Sequence, residues 1–145
     1  MPMEAFLSIL IAMLFGAIIG VERESANKPA GLRTNMLVSG AAAFIVHLSY
    51  ILGEGSAGRS DPLRVIEAVV TGVSFIGAGT IIRRSEDLEV EGLTTAATLL
   101  FTAAIGIAVA LGEAWLAGAV TVVVLATLRA VALLEKRVPK QPKGT

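Results

Sequence analysis

The chain has 145 residues, 54% of them apolar and 17% charged, with no cysteine and a mean hydropathy of +0.77. That charged share falls well below the roughly 25% of an ordinary globular protein, so the surplus apolar surface needs lipid to cover it. Twelve basic and twelve acidic residues cancel, leaving no overall field for nucleic acid, and the missing thiols exclude disulfides, thiolate metal sites and cysteine nucleophiles.

A spanning helix needs about 20 mostly apolar residues, because ~30 Å of hydrocarbon is crossed at ~1.5 Å per residue. The first such stretch runs from Ala5 to Val21 and is closed by Glu22-Arg23-Glu24. It lacks a basic leader and reads as a retained helix rather than a cleaved signal. Its Ala12, Gly16 and Gly20 form a small-residue face for packing within the protomer or across a dimer. Lys28-Pro29-Ala30-Gly31 is a turn signal, after which Asn35 to Gly53 forms the second span. Asp61-Pro62 reads as a cap followed by proline at the first helical position, opening a third span from about Leu63 to Ile82. A charged loop from Arg83 to Glu91 leads to the fourth span, Leu93 to Leu111, and Gly112-Glu113 turns the chain into the fifth, Ala114 to Leu134. The expected fold is an all-α, polytopic helix bundle: a transmembrane domain over residues 1–136, then a short basic tail over 137–145.

Five spans place ten of the twelve Lys and Arg on one side and leave only Arg59 and Arg64 on the other. By the positive-inside rule, the N-terminus is then outside and the C-terminus cytoplasmic.

Several polar side chains fall where lipid is expected. Glu67 lies more than one turn inside the third span, in a stripe with Thr71 and Ser74, and Arg64 is within reach three residues earlier. A carboxylate at that depth usually faces the protein interior. The stripe reads either as a cation or proton site, or as an Arg64–Glu67 pair anchoring the helix at the interface. Thr94, Thr98 and Thr102 share a face of the fourth span beside Thr95, and intramembrane threonines commonly bond the carbonyl one turn back. Asn35, Ser39 and His47 share spacing in multiples of four, and a lone histidine is more often a structural donor than a metal ligand. Gly72, Gly77 and Gly79 permit either close helix contact or a kinked, locally unwound segment whose carbonyls could hold a cation. Glu22, Arg23 and Glu24 must lie near Arg33-Thr34-Asn35, and an Arg–carboxylate network there would fix the hairpin or bind an anion, a metal or a partner's tail. No phosphate-binding glycine loop, paired-histidine motif or nucleophile–base set is present, so a non-enzyme is expected.

Gly20-Val21-Glu22-Arg23-Glu24 and Lys28-Pro29-Ala30-Gly31-Leu32-Arg33-Thr34 resemble the opening signature of the MgtC/SapB membrane proteins. Asp61-Pro62-Leu63-Arg64, the stretch Gly72 to Ile81, and Gly92 to Thr98 are similar to that family's later signatures, in the same order. The resemblance implies a bacterial inner-membrane protein linked to magnesium limitation, acid tolerance and survival inside host macrophages. It argues against direct magnesium transport; no cofactor is expected, with magnesium the one candidate ligand. It also implies contact with another membrane complex, the proton-translocating ATP synthase being the one known in the family. Many members carry a cytoplasmic C-terminal domain of the ACT type, whereas this chain reads as a short form, and Glu67 and Leu100 stand where glutamine and tryptophan are expected. The expected contact surface is Glu22, Arg23, Arg33, Thr34, Asn35, Asp61, Arg64, Thr94 and Thr95, with Thr98 beside them; Glu67 and Thr71 belong to the alternative, a cation or proton pathway through the bundle. A homodimer is expected from the small-residue faces.

Overall fold

A computed structural model describes residues 2–54, 62–83 and 90–137. Five helices follow one another: α1 (Pro2–Ser25), α2 (Leu32–Glu54), α3 (Pro62–Gly79), α4 (Leu93–Ala110) and α5 (Ala114–Arg137). Each coincides with one of the expected apolar stretches. Between α3 and α4 lies a feature absent from the all-helical expectation, two short strands, β1 (Ile82–Arg83) and β2 (Val90–Glu91). They pair antiparallel with Ile82 opposite Glu91 and Arg83 opposite Val90, so part of the charged loop is a small ladder.

The helix ends are set by local chemistry. At the end of α1, Lys28 N–H donates to the Arg23 carbonyl and Asn27 N–H to that of Glu24, both 3.0 Å, with Asn27 left-handed at φ 52°. Glu113 and Gly112 repeat this double closure at the end of α4, on the carbonyls of Ala108 and Val109, with Gly112 at φ 87°. These are Schellman endings, in which a left-handed residue lets the chain reverse while its N–H groups satisfy orphan carbonyls. Both hairpin turns therefore follow from one short-range signal.

Contacts fix the helix directions. Along the α1–α2 hairpin, Gly20 meets Leu32, Gly16 meets Asn35 and Ser39, and Gly40 meets Met13. Ascending positions on one helix face descending positions on the other, so the two run antiparallel. Asn35 meets Thr102 and Ser39 meets Gly106, both 67 residues apart, so α2 and α4 run parallel. Gly77 of α3 faces Ala96 near the start of α4, placing α3 antiparallel to it. The end of α1, the start of α2, the end of α3 and the start of α4 thus gather at one end of the bundle.

α4 is the central helix. One apolar cluster joins it to α1, α2 and α5 through Ala12, Ile19, Ala43, Ile105, Val109, Ala117 and Val124. A second joins it to α2 and α3 through Ala42, Val46, Val69, Val73, Leu99, Ala103 and Ile107. The outer surface is also apolar: Phe6, Leu37, Leu52, Phe75, Trp115 and Val122 are among the large hydrophobic residues left exposed. Exposed apolar area on that scale marks contact with another apolar phase. Among the described residues, four helices are long and apolar enough to cross a membrane, namely Met3–Ser25, Leu32–Gly53, Leu93–Ala110 and Ala114–Leu133. α3 matches α4 in length at 18 residues but carries Arg64 and Glu67 in its first two turns, and it is not among those four.

Candidate functional site

The sequence-predicted polar residues gather mainly at the end of the bundle where α1 stops and α2 and α4 begin. There they divide into a buried set and an open one.

Asn35 organises the buried set. It has no exposed surface, and its Nδ2 donates to the carbonyls of Ala30 (2.5 Å) and Gly31 (3.0 Å). Its Oδ1 accepts from the Thr102 hydroxyl at 2.8 Å. One amide therefore ties the α1–α2 turn to the middle of α4. It also spans the left-handed Ala30 (φ 57°), a conformation that needs outside support in a residue other than glycine. Thr98 donates to the Thr94 carbonyl (2.7 Å) and Thr102 lies 2.9 Å from that of Thr98. This is the expected back-bonding, which satisfies hydroxyls inside the bundle. Thr95 and Thr98 are buried, while Thr94 is exposed.

Two glycines allow the helices to come this close. A Cβ at Gly16 or at Gly106 would overlap the backbone carbonyls of Asn35 and Ser39 respectively. The small-residue face of α1 is thus consumed by α2 inside the protomer. Ser39 sits between these contacts with its Oγ wholly buried and without a hydrogen-bond partner among the described residues.

The expected Arg–carboxylate network splits in two. Glu22 and Arg23 are buried together, 6% and 4% exposed, with Arg23 Nε–H donating to Glu22 Oε2 at 2.6 Å. Such a pair is costly to break, because either partner alone leaves a buried charge. Glu24 turns instead to the start of α2, where its Oε2 accepts from Leu32 N–H at 2.9 Å. That contact satisfies an orphan donor and sets a negative charge against the positive end of the helix dipole. Arg33 joins neither pair and is exposed.

The open set forms a shallow basin of about 460 Å³, lined by Glu24, Asn27, Lys28, Gly31, Leu32, Arg33 and Thr34. Lys28 and Arg33 supply cations and the Glu24 carboxylate faces them from the α1 side, so the basin can receive a polar or charged group from outside the chain. Glu24 was missing from the expected contact surface. Its signal was a carboxylate eight residues ahead of a helix start.

The third helix departs from expectation. Glu67, Thr71 and Ser74 do share one stripe, and Thr71 Oγ1 donates to the Glu67 carbonyl at 2.8 Å, but the stripe is exposed on the outer side of α3. The side facing the core is apolar, with Val69 and Val73 buried. Arg64 is exposed too, and among the described residues no ion pair joins it to Glu67. α3 continues unbroken to Gly79, and Gly77 packs against Ala96 with 3.4 Å for a Cβ, so close contact rather than unwinding accounts for that glycine. Glu67 and Thr71 therefore lie on the outer side of α3 rather than in the middle of the bundle, and α3 has no bend to free its carbonyls. Asp61 lies outside the described residues. His47 Nε2 meets the Ser8 hydroxyl, which donates to the Ala5 carbonyl at 2.8 Å, so His47 is a structural donor linking α2 to α1. No group of His, Asp or Glu placed to hold a metal ion occurs among the described residues.

The profile of the MgtC family matches residues 9–137, which takes in parts of all five helices. A protein named MgtC from Salmonella typhimurium is 43% identical over 119 residues, covering 82% of this chain and 48% of its own length. Another of that name, from Brucella abortus, is 43% identical over 116 residues, covering 79% of this chain and 46% of itself. An uncharacterized protein from Haemophilus influenzae is 34% identical over 141 residues, covering 94% of this chain and 59% of itself. The chain spans about half the length of these curated relatives. No solved structure matches.

Proposed function

The chain belongs to the MgtC family, and from that premise we propose that it is a regulatory protein of the bacterial inner membrane. It acts by contact with another membrane complex under magnesium limitation and acid stress, in support of virulence. The proton-translocating ATP synthase is the proposed partner. One observation carries the contact reading: a buried brace at Asn35 holds the α1–α2 turn against α4, and signature residues of that turn, Glu24, Lys28, Arg33 and Thr34 among them, line an open, mixed-charge basin at the end of the bundle. The brace spends its hydrogen bonds internally, on the turn and on α4. The basin residues Lys28 and Arg33 remain available to a partner.

The proposed topology has five crossings, with the N-terminus outside. The parallel course of α2 and α4 supports an odd number of crossings, with α3 carrying the chain back between them, and the Lys and Arg distribution supports the orientation. The basin then lies on the cytoplasmic side, together with most of the Lys and Arg residues.

Pull-down from native membranes tests the contact. A membrane complex should copurify with the chain, and Arg33→Ala combined with Lys28→Ala should release it while leaving the chain's abundance unchanged. If nothing copurifies, and the purified protein in sealed liposomes carries ions down a magnesium or pH gradient, regulation by contact is wrong.

A further inference from the structure

We propose that the outward stripe of α3 is a seam at which two copies of this chain associate about a two-fold axis normal to the membrane. Arg64, Glu67, Thr71, Ser74 and Ala78 are all exposed, and their positions advance by alternating steps of three and four. That spacing is the seam of a left-handed helix pair, the commonest crossing among membrane helices. The stripe holds every charged and hydroxyl side chain of α3, while Val69, Val73 and Gly77 on the opposite side face α2 and α4. Ionisable residues within a membrane almost always turn toward protein. α3 turns its own toward the outside of the protomer, so protein must cover them there. The inference rests on α3 crossing the bilayer, as proposed above.

Charge identifies the occupant as a second copy. A two-fold contact sets the same patch against itself, so each residue meets its counterpart's neighbours twice over. Arg64 and Glu67 have opposite sign, stand one turn apart and are not paired with each other or with any other of the described residues. The axis brings each Arg64 to the other copy's Glu67 and leaves no net charge in the seam. Below them Thr71, Ser74 and Ala78 are small enough for the two backbones to approach closely. The Thr71 hydroxyl already donates to its own backbone, leaving its lone pairs for a donor across the seam. The competing small-residue face, on α1, is filled by α2 at Gly16 and Gly20.

The absence of native cysteine makes the test clean. Single cysteines are introduced in the full chain at Thr71, Ser74 and Ala78, and as controls at Val70 of α3 and Leu37 of α2, both exposed but off the stripe. The purified proteins are reconstituted into liposomes at low density and treated with a mild oxidant. A disulfide-linked dimer is expected at the three seam positions and not at the controls. In the Ser74→Cys background, Arg64→Glu or Glu67→Arg alone should abolish the cross-link and the double exchange should restore it. That recovery separates a lost contact from a lost fold. Equal cross-linking at seam and control positions, or monomers throughout, overturns the proposal. So does seam cross-linking in native membranes to a different protein but never to a second copy. Because the liposomes contain no other complex, a seam dimer there stands even if the pull-down finds no partner, and a partner found there does not rescue a missing seam.

Discussion

Asn35 shows how much one buried amide can hold. Its two donors and one acceptor join a turn containing a left-handed alanine to a threonine on the central helix. Asn35→Ala leaves the part-buried Ala30 carbonyl without its donor, takes one of two donors from the Gly31 carbonyl and removes the acceptor of Thr102, and is expected to destabilise the protein by about 2 kcal/mol. Asn35→Asp keeps the shape but sets a carboxylate against two carbonyls and should be at least as damaging. Ser39, one turn further on, predicts the opposite outcome. Its hydroxyl has no partner to lose among the described residues, so Ser39→Ala should be neutral or stabilising, by about 1 kcal/mol at most. Thermal unfolding in detergent distinguishes these outcomes, and equal losses at both positions would refute the assignment of Asn35 as the brace. The sequence placed Asn35, Ser39 and His47 at multiples of four and so on related faces of one helix. It could not assign the distant partners, Thr102 of α4 for Asn35 and Ser8 of α1 for His47. Periodicity fixes a direction around a helix axis and says nothing about what occupies that direction.

At the scale of the element, boundaries were the most legible feature. Left-handed residues at Asn27 and Gly112 stop helices for local reasons, and Pro62 starts one. The meaning of the glycines was not legible, because it depends on the neighbour. Gly106 abuts the Ser39 carbonyl, whereas Gly72 has nothing within 4 Å. Gly106→Ala should therefore force α2 and α4 apart at a cost of about 1–3 kcal/mol. Gly72→Ala should be tolerated and should stabilise the helix by about 0.5–1 kcal/mol. Unfolding of the two variants side by side checks this, and a tolerated Gly106→Ala would remove the close α2–α4 contact from the account. The direction of α3 was not legible either. Its polar stripe was plain in the sequence, but both an inward site and an anchor at the interface fitted it, because the direction a stripe faces depends on what the rest of the helix meets. The apolar side of α3, through Val69 and Val73, competes better for the apolar cluster on α2 and α4, so the polar side is left outside.

For the whole molecule, the parallel course of α2 and α4 is the constraint from which the proposed topology follows. Lys28→Cys in the α1–α2 turn should react with a membrane-impermeant maleimide only after the inner membrane is opened. Glu113→Cys in the α4–α5 turn should react in intact spheroplasts. Labelling of both from one side would mean that α3 does not cross and that the bundle has an even number of spans. The burial pattern gives α4 a separate role as the shared wall of both apolar clusters, with the other four helices ranged around it. Substitutions on its buried faces should therefore disturb the whole bundle, while those on α5, which packs chiefly on α1 and α4, should act more locally.

Composition and hydropathy determined that the chain is built of apolar helices and, to within a few residues, where each begins and ends, and short residue motifs carried the family resemblance. These are properties of short segments, set by transfer of side chains into an apolar phase and by backbone hydrogen bonding within a few residues. The tertiary structure decided that Glu22 pairs with Arg23 while Glu24 caps α2, that Asn35 braces the turn against α4, and that the α1 glycines serve the protomer itself. It also decided that Glu67 looks outward. Each of those outcomes is a competition for the same neighbour among groups distant in the chain, and only the assembled bundle sets the distances on which that competition turns.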